Sequence, residues 1–463
     1  MSAPFVIIGG DAAGMSAAAR LKRSSPEAEV IVFERGPHIS YSACGMPYWI
    51  GGVLSSDRQL MILTPEIARK RRHIDVRIHH EVTAIDPENK TAAGVDHMTG
   101  DPFTQPYSKL LIATGARAAR PPIPGVDLPG VFSLRSLADG QAIHAYLEDR
   151  TPRRAVLIGG GYIGLEMAEA LRDRDLEVHL VELLPQIMPS FDADMIAPVV
   201  EHLEEHGVQL HTATAVTGIS QTGATLTVHT DAGGDLLADI VVIGVGVRPN
   251  AELAAAAGLR LGESGAIRVD RSMQTSRPDI YAAGDCVEHY HLVLERDAYI
   301  PLATSANKGG RVAADNMIGD TAALPGILGT AVVKVFDYTM AFTGLNEEEA
   351  KRSGRFGDDG EFVGATRIEN KDRTGYWPGA ETLYVKLVFD RRDGRVVGGQ
   401  LLGKAGVNKR IDIVATAITA RMTVTDIGVL DLSYAPPYSP TYDPIQICAN
   451  VAQHEVLRAS PPG

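Results

Sequence analysis

Four consecutive apolar residues, Phe5-Val6-Ile7-Ile8, stop at Gly9-Gly10, and the chain then changes period. The stretch 12–23 (AAGMSAAARLKR) places apolar residues at helical spacing, and a second apolar run, Val30-Ile31-Val32-Phe33, ends in Glu34. Short apolar runs bounded by glycine predict strands buried on both faces, so this segment predicts a strand-helix-strand unit with parallel strands. The same order returns at Ala155-Val156-Leu157-Ile158, a glycine-rich turn over 159–164, a helix over 165–175, and the run Val178-His179-Leu180-Val181 ending in Glu182. Between the units, 110–115 (LLIATG) ends a strand at Gly115 and 120–130 (RPPIPGVDLPG) predicts a proline-punctuated crossover. The runs 241–250 and 280–286 are expected as strands returning to the first unit.

From about Gly326 the pattern alternates, in 330–336, 383–389 and 398–403, followed by a helix near 412–422 and a proline-rich turn at 434–444. The expected fold class is therefore α/β: two dinucleotide-binding, Rossmann-like domains and a C-terminal α+β domain. The first domain is expected to span 1–116 and 245–325, the second 117–244 and the third 326–463.

In such units the first glycine permits a tight turn, the second lets backbone approach a pyrophosphate, and the third lets helix and strand pack closely. Gly159-Gly160-Gly161-Tyr162-Ile163-Gly164 meets all three requirements, whereas Gly9-Gly10-Asp11-Ala12-Ala13-Gly14 carries Asp11 at the middle position. Glu182 accepts hydrogen bonds from a free ribose 2′-hydroxyl, and Leu183-Leu184-Pro185 brings no cation for a 2′-phosphate. NADH is therefore expected over NADPH, which stays possible.

Composition narrows the function classes. A chain of 463 residues is long enough for several cores, and its net charge of −13 argues against a broad nucleic-acid surface. Three well-separated cysteines, Cys44, Cys286 and Cys448, do not make a disulfide scaffold, so a reducing cytoplasm is the expected location. The N-terminus lacks a basic leader and no apolar run reaches spanning length, so neither signal peptide nor membrane segment is expected. His202 and His206 in 201–207 (EHLEEHG) predict a charged helix face, and no metal is expected. Cys286 and Cys448 are expected to be small buried residues, leaving Cys44, in 40–52 (SYSACGMPYWIGG), as a thiol without a neighbour.

The two units, Ala113-Thr114-Gly115, the segment 280–286 (IYAAGDC) and the cysteine between the units resemble the flavoprotein pyridine nucleotide-disulfide reductases over nearly the whole chain. That resemblance implies FAD at Gly9, Gly10, Ala12, Ala13, Gly14, Glu34, Arg35, Ala113, Thr114, Gly115, Gly284, Asp285 and Ala303. It implies the nicotinamide cofactor at Gly159, Gly161, Tyr162, Ile163, Gly164, Glu166, Glu182 and Gly244, with Tyr162 as a lid and Glu166 orienting the nicotinamide. It also implies a homodimer built by the C-terminal domain, with each active site completed by the partner.

Within the family, glutathione- and lipoamide-type enzymes carry two cysteines four residues apart and a C-terminal His-Glu pair; here Trp49 follows Cys44 by five positions and neither feature is present. The stretches 40–52 and 433–444 are similar instead to the coenzyme A-disulfide reductase branch, whose single cysteine is shared with NADH oxidases and peroxidases. The sulfenic-acid enzymes carry a histidine where Ala12 stands.

A CoA site needs cations near the cysteine, and the chain supplies Arg20, Lys22 and Arg23 on one helix and 69–72 (RKRR) after the cysteine loop. The resemblance places Arg20, Arg23, Ser40 and Arg72 along a CoA channel, with Asn307, Tyr438 and Tyr442 as further candidates. Ala43 stands where the branch often has asparagine. It also implies that Tyr376 and Tyr434 of a partner subunit donate hydrogen bonds to a departing CoA thiolate.

Cys44 is expected at a helix N-terminus, with Pro47 in the opening turn and its thiol pKa depressed. The expected reaction is NADH-driven, FAD-dependent reduction of CoA disulfide through a mixed disulfide of Cys44 with CoA. A CoA persulfide or polysulfide reductase, an NADH oxidase with a Cys44 sulfenic acid, and a redox or CoA sensor remain as alternatives.

Overall fold

The computed structural model describes residues 3–459. Two five-stranded parallel sheets carry the two predicted units. The first is ordered Ile280–Ala282, Lys109–Ile112, Phe5–Ile8, Val30–Glu34, Asp75–Ile78. The second is ordered Val208–His211, Glu177–Val181, Arg154–Ile158, Ile240–Ile243, Val131–Ser133. Their central strands, Phe5–Ile8, Val30–Glu34, Lys109–Ile112, Arg154–Ile158 and Ile240–Ile243, are almost entirely buried, which is why they read as apolar runs, while the edge strands Asp75–Ile78 and Val208–His211 are half-open and mixed. Each sheet is accompanied by a three-stranded antiparallel meander, 80–106 beside the first and 216–238 beside the second.

The helices after the two glycine turns are Asp11–Ser24 and Tyr162–Arg172. Asp11–Ser24 packs on Ala303–Met317 across Gly310, where a methyl group would meet the Ala13 carbonyl oxygen at 2.2 Å. The C-terminal unit is an antiparallel five-stranded sheet, Ala331–Val335, Tyr338–Gly344, Val396–Gly403, Thr382–Asp390, Val363–Lys371, covered by helices Val407–Thr419 and Pro444–Ala459. The helix expected near 412–422 therefore starts earlier and ends at Thr419. Segment 434–443 has turns but no helix or strand, as its prolines predict, and Pro444 opens the last helix.

One strand assignment is corrected. The run 241–250, expected to return to the first sheet, divides at Gly244-Val245-Gly246, where Gly246 takes φ +99°. Ile240–Ile243 enters the second sheet, while Val247–Pro249 forms a two-stranded ribbon with Ala116–Ala118. Ile280–Ala282 does join the first sheet.

The C-terminal sheet is fastened to the second unit by a buried ionic group. The Lys386 ammonium lies 3.1 Å from Asp192 Oδ2, 2.9 Å from Asp194 Oδ1 and 2.9 Å from Glu347 Oε2, while the Gln400 side-chain amide donates to Asp192 Oδ2 at 2.6 Å. Among the described residues no helix is long and apolar enough to cross a membrane.

Candidate active site

Both glycine turns are built on one plan. Gly9 and Gly159 adopt φ +97° and +106°, conformations that side chains resist. A methyl group on Gly14 would meet the Gly9 carbonyl oxygen at 2.0 Å, and one on Gly164 would meet that of Gly159 at the same distance. The carboxylate ending the second strand of each unit accepts two backbone N–H bonds. Glu34 takes them from Gly10 (3.0 Å) and Gly36 (2.8 Å), Glu182 from Gly160 (2.6 Å) and Leu184 (2.8 Å). Neither helix has a side-chain cap; in the first the Asp11 N–H is taken by the Ile39 carbonyl at 2.6 Å, so the N–H groups after it, and those opening the second helix, are the ones left for an anion.

The middle position separates the two. A methyl group on Gly161 would touch nothing within 4 Å, which leaves room for a ligand's phosphates. Asp11 instead opens the first helix at φ +52° and turns inward, taking a hydrogen bond from the Tyr41 backbone N–H. Burial, partly opposed by that bond and by Arg135, raises its pKa to about 6.

The cysteine segment is wedged between the units. Met46, Trp49 and Ile50 enter the core that lines the second unit, Trp49 stacks on His144 at 4.6 Å between ring centres, and Gly51 lies so close to Ala170 that a methyl group would sit 3.0 Å from its Cα. Cys44 is thereby held between the first glycine turn and the helix bearing Glu166.

Of the three cysteines only Cys44 is exposed; Cys286 and Cys448 are buried, with sulfurs 3.3 Å from the Ala283 carbonyl oxygen and 3.2 Å from that of Thr366. Cys44 sits in a 3₁₀ turn, Ala43–Gly45, ahead of the five-residue helix Met46–Ile50. The expectation of a depressed thiol pKa is overturned: crowding by protein pushes it up, Glu166 adds to the rise, and Arg135 opposes it. Glu166 is itself half-buried near Glu169, and desolvation and that second carboxylate raise its pKa to about 7. Glu169 is committed elsewhere, to Lys334 and to the Phe336 backbone N–H (2.8 Å).

Sequence comparison assigns this arrangement. The pattern described as pyridine nucleotide-disulphide oxidoreductase matches residues 3–310, and that of the corresponding dimerisation domain matches residues 330–444. The chain belongs to this family. It is 39% identical over 447 residues to the NAD(P)H sulfur oxidoreductase (CoA-dependent) of Pyrococcus abyssi, covering 96% of this chain and 97% of that one. It is 36% identical over 451 residues to an NADH oxidase of Methanocaldococcus jannaschii, covering 96% and 98%. Reduced Bacillus anthracis CoADR-RHD superposes with a TM-score of 0.95 at 41% identity, over 99% of this chain and 81% of that chain. The chain is thus an NAD(P)H-dependent flavoprotein oxidoreductase in the branch that holds CoA-disulfide reductases, NADH oxidases and CoA-persulfide reductases.

The residues fit a family flavin. The uncapped turn at Gly10, the Glu34 carboxylate, Gly284 at φ +92° against Ala13, and the uncapped N-terminus of Ala303–Met317 are all available to one extended ligand. Asp285 is half-buried and bonded to Arg135 at 2.8 Å. Arg135 is a residue that sequence reasoning missed, because 133–136 (SLRS) carries no motif and its role comes from the fold. Thr114 is tied to Asn250 by its hydroxyl (2.6 Å) and carbonyl (2.9 Å). Arg35 is exposed; Ala113 is buried. Tyr162 leans on Phe342 of the C-terminal sheet, 6.4 Å between ring centres, with Ile163 packed against Gly244.

The expected CoA cations separate into two groups. Arg20 pairs with Asp315 at 2.5 Å, and Lys22 donates to the Pro26 and Ala28 carbonyls at 2.5 and 2.9 Å, so both already hold the fold together. Arg69 likewise caps the Val76 carbonyl. Arg23 and Arg72 extend into solvent, Ser40 and Ala43 are half-buried, and Asn307 is exposed on the helix Ala303–Met317. Tyr376, Tyr434, Tyr438 and Tyr442 are all exposed on the C-terminal unit, a set of large rings without a covering element in the single chain.

Proposed function

We propose that the protein reduces a sulfur–sulfur bond carried by coenzyme A, disulfide or persulfide, at the expense of NADH, with FAD as resident cofactor. The observation that carries this reading is Cys44: one exposed thiol, fixed between the first glycine turn and the helix after the second, while its two fellow cysteines are buried. FAD would lie along the first turn and Glu34, and when bound it supplies the relay of two electrons from the nicotinamide to sulfur. Glu182, followed by the exposed Leu183 and Leu184, supports NADH over NADPH.

In the protein's part of the cycle, the Cys44 thiolate attacks one sulfur of the CoA disulfide, a mixed disulfide forms, and one CoA thiolate leaves. Glu166, its pKa raised to about 7 by burial and by Glu169 and its charge felt at Cys44, is our candidate for exchanging a proton with the sulfur. Arg23 and Arg72 are the candidate partners for the CoA phosphates. Exposure of Tyr376 and Tyr434 supports a homodimer in which a second copy supplies both hydroxyls to the leaving thiolate, with Tyr438 and Tyr442 alongside.

Mass spectrometry of the unreduced protein tests this: an adduct of the mass of CoA on Cys44, removed by dithiothreitol, is expected. A Cys44 one or two oxygens heavier and free of CoA favours oxidase chemistry instead. A Cys44→Ser enzyme that still turned over CoA disulfide at the parent rate would overturn the proposal.

A further inference from the structure

His202 and His206 stand one helical turn apart at the C-terminal end of Ala193–Glu205, and the fold does to them what the sequence alone did not indicate. His202 is buried rather than part of a charged face, because the hairpin joining Ala331–Val335 to Tyr338–Gly344 folds over it. Tyr338 stacks on the His202 ring at 4.3 Å between centres, Phe336 stacks on the His206 ring at 4.1 Å, and Asp337 between them faces both histidines.

Ligand atoms of His202, His206 and Asp337 all lie within 4.8 Å of one another, the only such trio among the described residues. The second partners suit coordination. His206 Nδ1 donates to the His202 carbonyl oxygen at 2.8 Å, which leaves Nε2 as a bare acceptor. His202 Nδ1 is 3.8 Å from Glu205, and its Nε2 lies 2.6 Å from Asp337 Oδ1 without the alignment of a hydrogen bond. The other Asp337 oxygen is held by Lys404 at 2.7 Å. A buried and a half-buried imidazole pressed together with a carboxylate at a helix C-terminus, the negative end of its dipole, suit a shared cation.

We infer that His202, His206 and Asp337 bind a divalent transition metal ion of the zinc type, with a fourth position left to water on the exposed Asp337 side. The two imidazoles come at i and i+4 from one helix, and the carboxylate comes from the C-terminal sheet. The ion bridges the second nucleotide unit and the C-terminal sheet. The same hairpin holds Glu169 through Lys334 and the Phe336 N–H, so the metal steadies the backing of the helix that carries Tyr162 and Glu166.

The test is a calorimetric titration of Zn²⁺ into the chelator-treated full chain carrying Cys44→Ser, which removes the exposed thiol as a competing ligand. One ion per chain is expected, and His206→Gln and Asp337→Asn should each weaken binding by at least about tenfold. Flavin content of the variants reports that they remain folded. In the unsubstituted protein, Zn²⁺ should slow acylation of His206 by diethyl pyrocarbonate. Absence of saturable binding, affinity unchanged in either variant, or an acylation rate indifferent to Zn²⁺ overturns the site.

Discussion

The two glycine turns share strand, helix, closing carboxylate and the same 2.0 Å constraint at the third glycine, yet differ at one position. Gly161 leaves open space, whereas Asp11 fills its place with a carboxyl directed at Tyr41, in the cysteine segment. On the proposed function the second turn is only a cradle for a dissociable cofactor. The first is then also a brace between a flavin site and the cysteine segment, and a duplicated fold has been given two duties by one residue.

The shared constraint gives the largest effect. Gly14→Ala and Gly164→Ala each force a methyl group against a carbonyl oxygen. Gly14→Ala should cut flavin retention at least about tenfold, some 1.4 kcal/mol of binding or more. Gly164→Ala should keep its flavin and raise the KM for NADH instead. Flavin absorbance and initial rates separate the two, and identical phenotypes would break the assignment of one cofactor to each turn.

Removing the closing carboxylate of the second turn is a smaller perturbation. Glu182→Ala should lower the preference for NADH over NADPH, measured as the ratio of kcat/KM values, by about tenfold. An unchanged ratio would place the ribose elsewhere.

Asp11→Asn addresses the difference itself. The native carboxyl titrates at about 6 against 3.8 for the ordinary group, so folding favours its neutral form. The unfolded chain ionises first as pH rises from about 4, and native stability falls until about pH 6, by roughly 1–3 kcal/mol. Asparagine still accepts the Tyr41 N–H without that cost. Its urea midpoint should exceed the parent's at about pH 7 and match it below about pH 4. The smallest effect is expected at the thiol: Glu166→Gln removes a charge that raises the Cys44 pKa, so the pH profile of Cys44 alkylation should move to lower pH. A profile that stays in place would leave crowding alone as the cause.

What was legible in the sequence was whatever repeats locally. Phe5–Ile8 and Arg154–Ile158 were readable because strands covered on both faces need apolar residues throughout, and Gly14 and Gly164 because their spacing is fixed by the turn. The run 241–250 was misread because apolar content does not announce that Gly246 will turn the chain out of one sheet. Sequence position suggested a helix N-terminus activating Cys44; the forces that raise its pKa come from Glu166 and surrounding protein, which no local pattern encodes. Arg20 and Lys22 looked like free cations until Asp315 and two carbonyls, brought up by the fold, claimed them.

The ammonium of Lys386 carries a consequence for how this sequence can change. Replacing it alone leaves Asp192 and Asp194 without its charge and Glu347 with only Lys351, and replacing any one carboxylate leaves the others in place. Lineages that lose the lysine should therefore be found to have lost its acidic partners as well. Two stretches far apart in the chain, 192–194 and 347–386, are then bound to drift together or not at all.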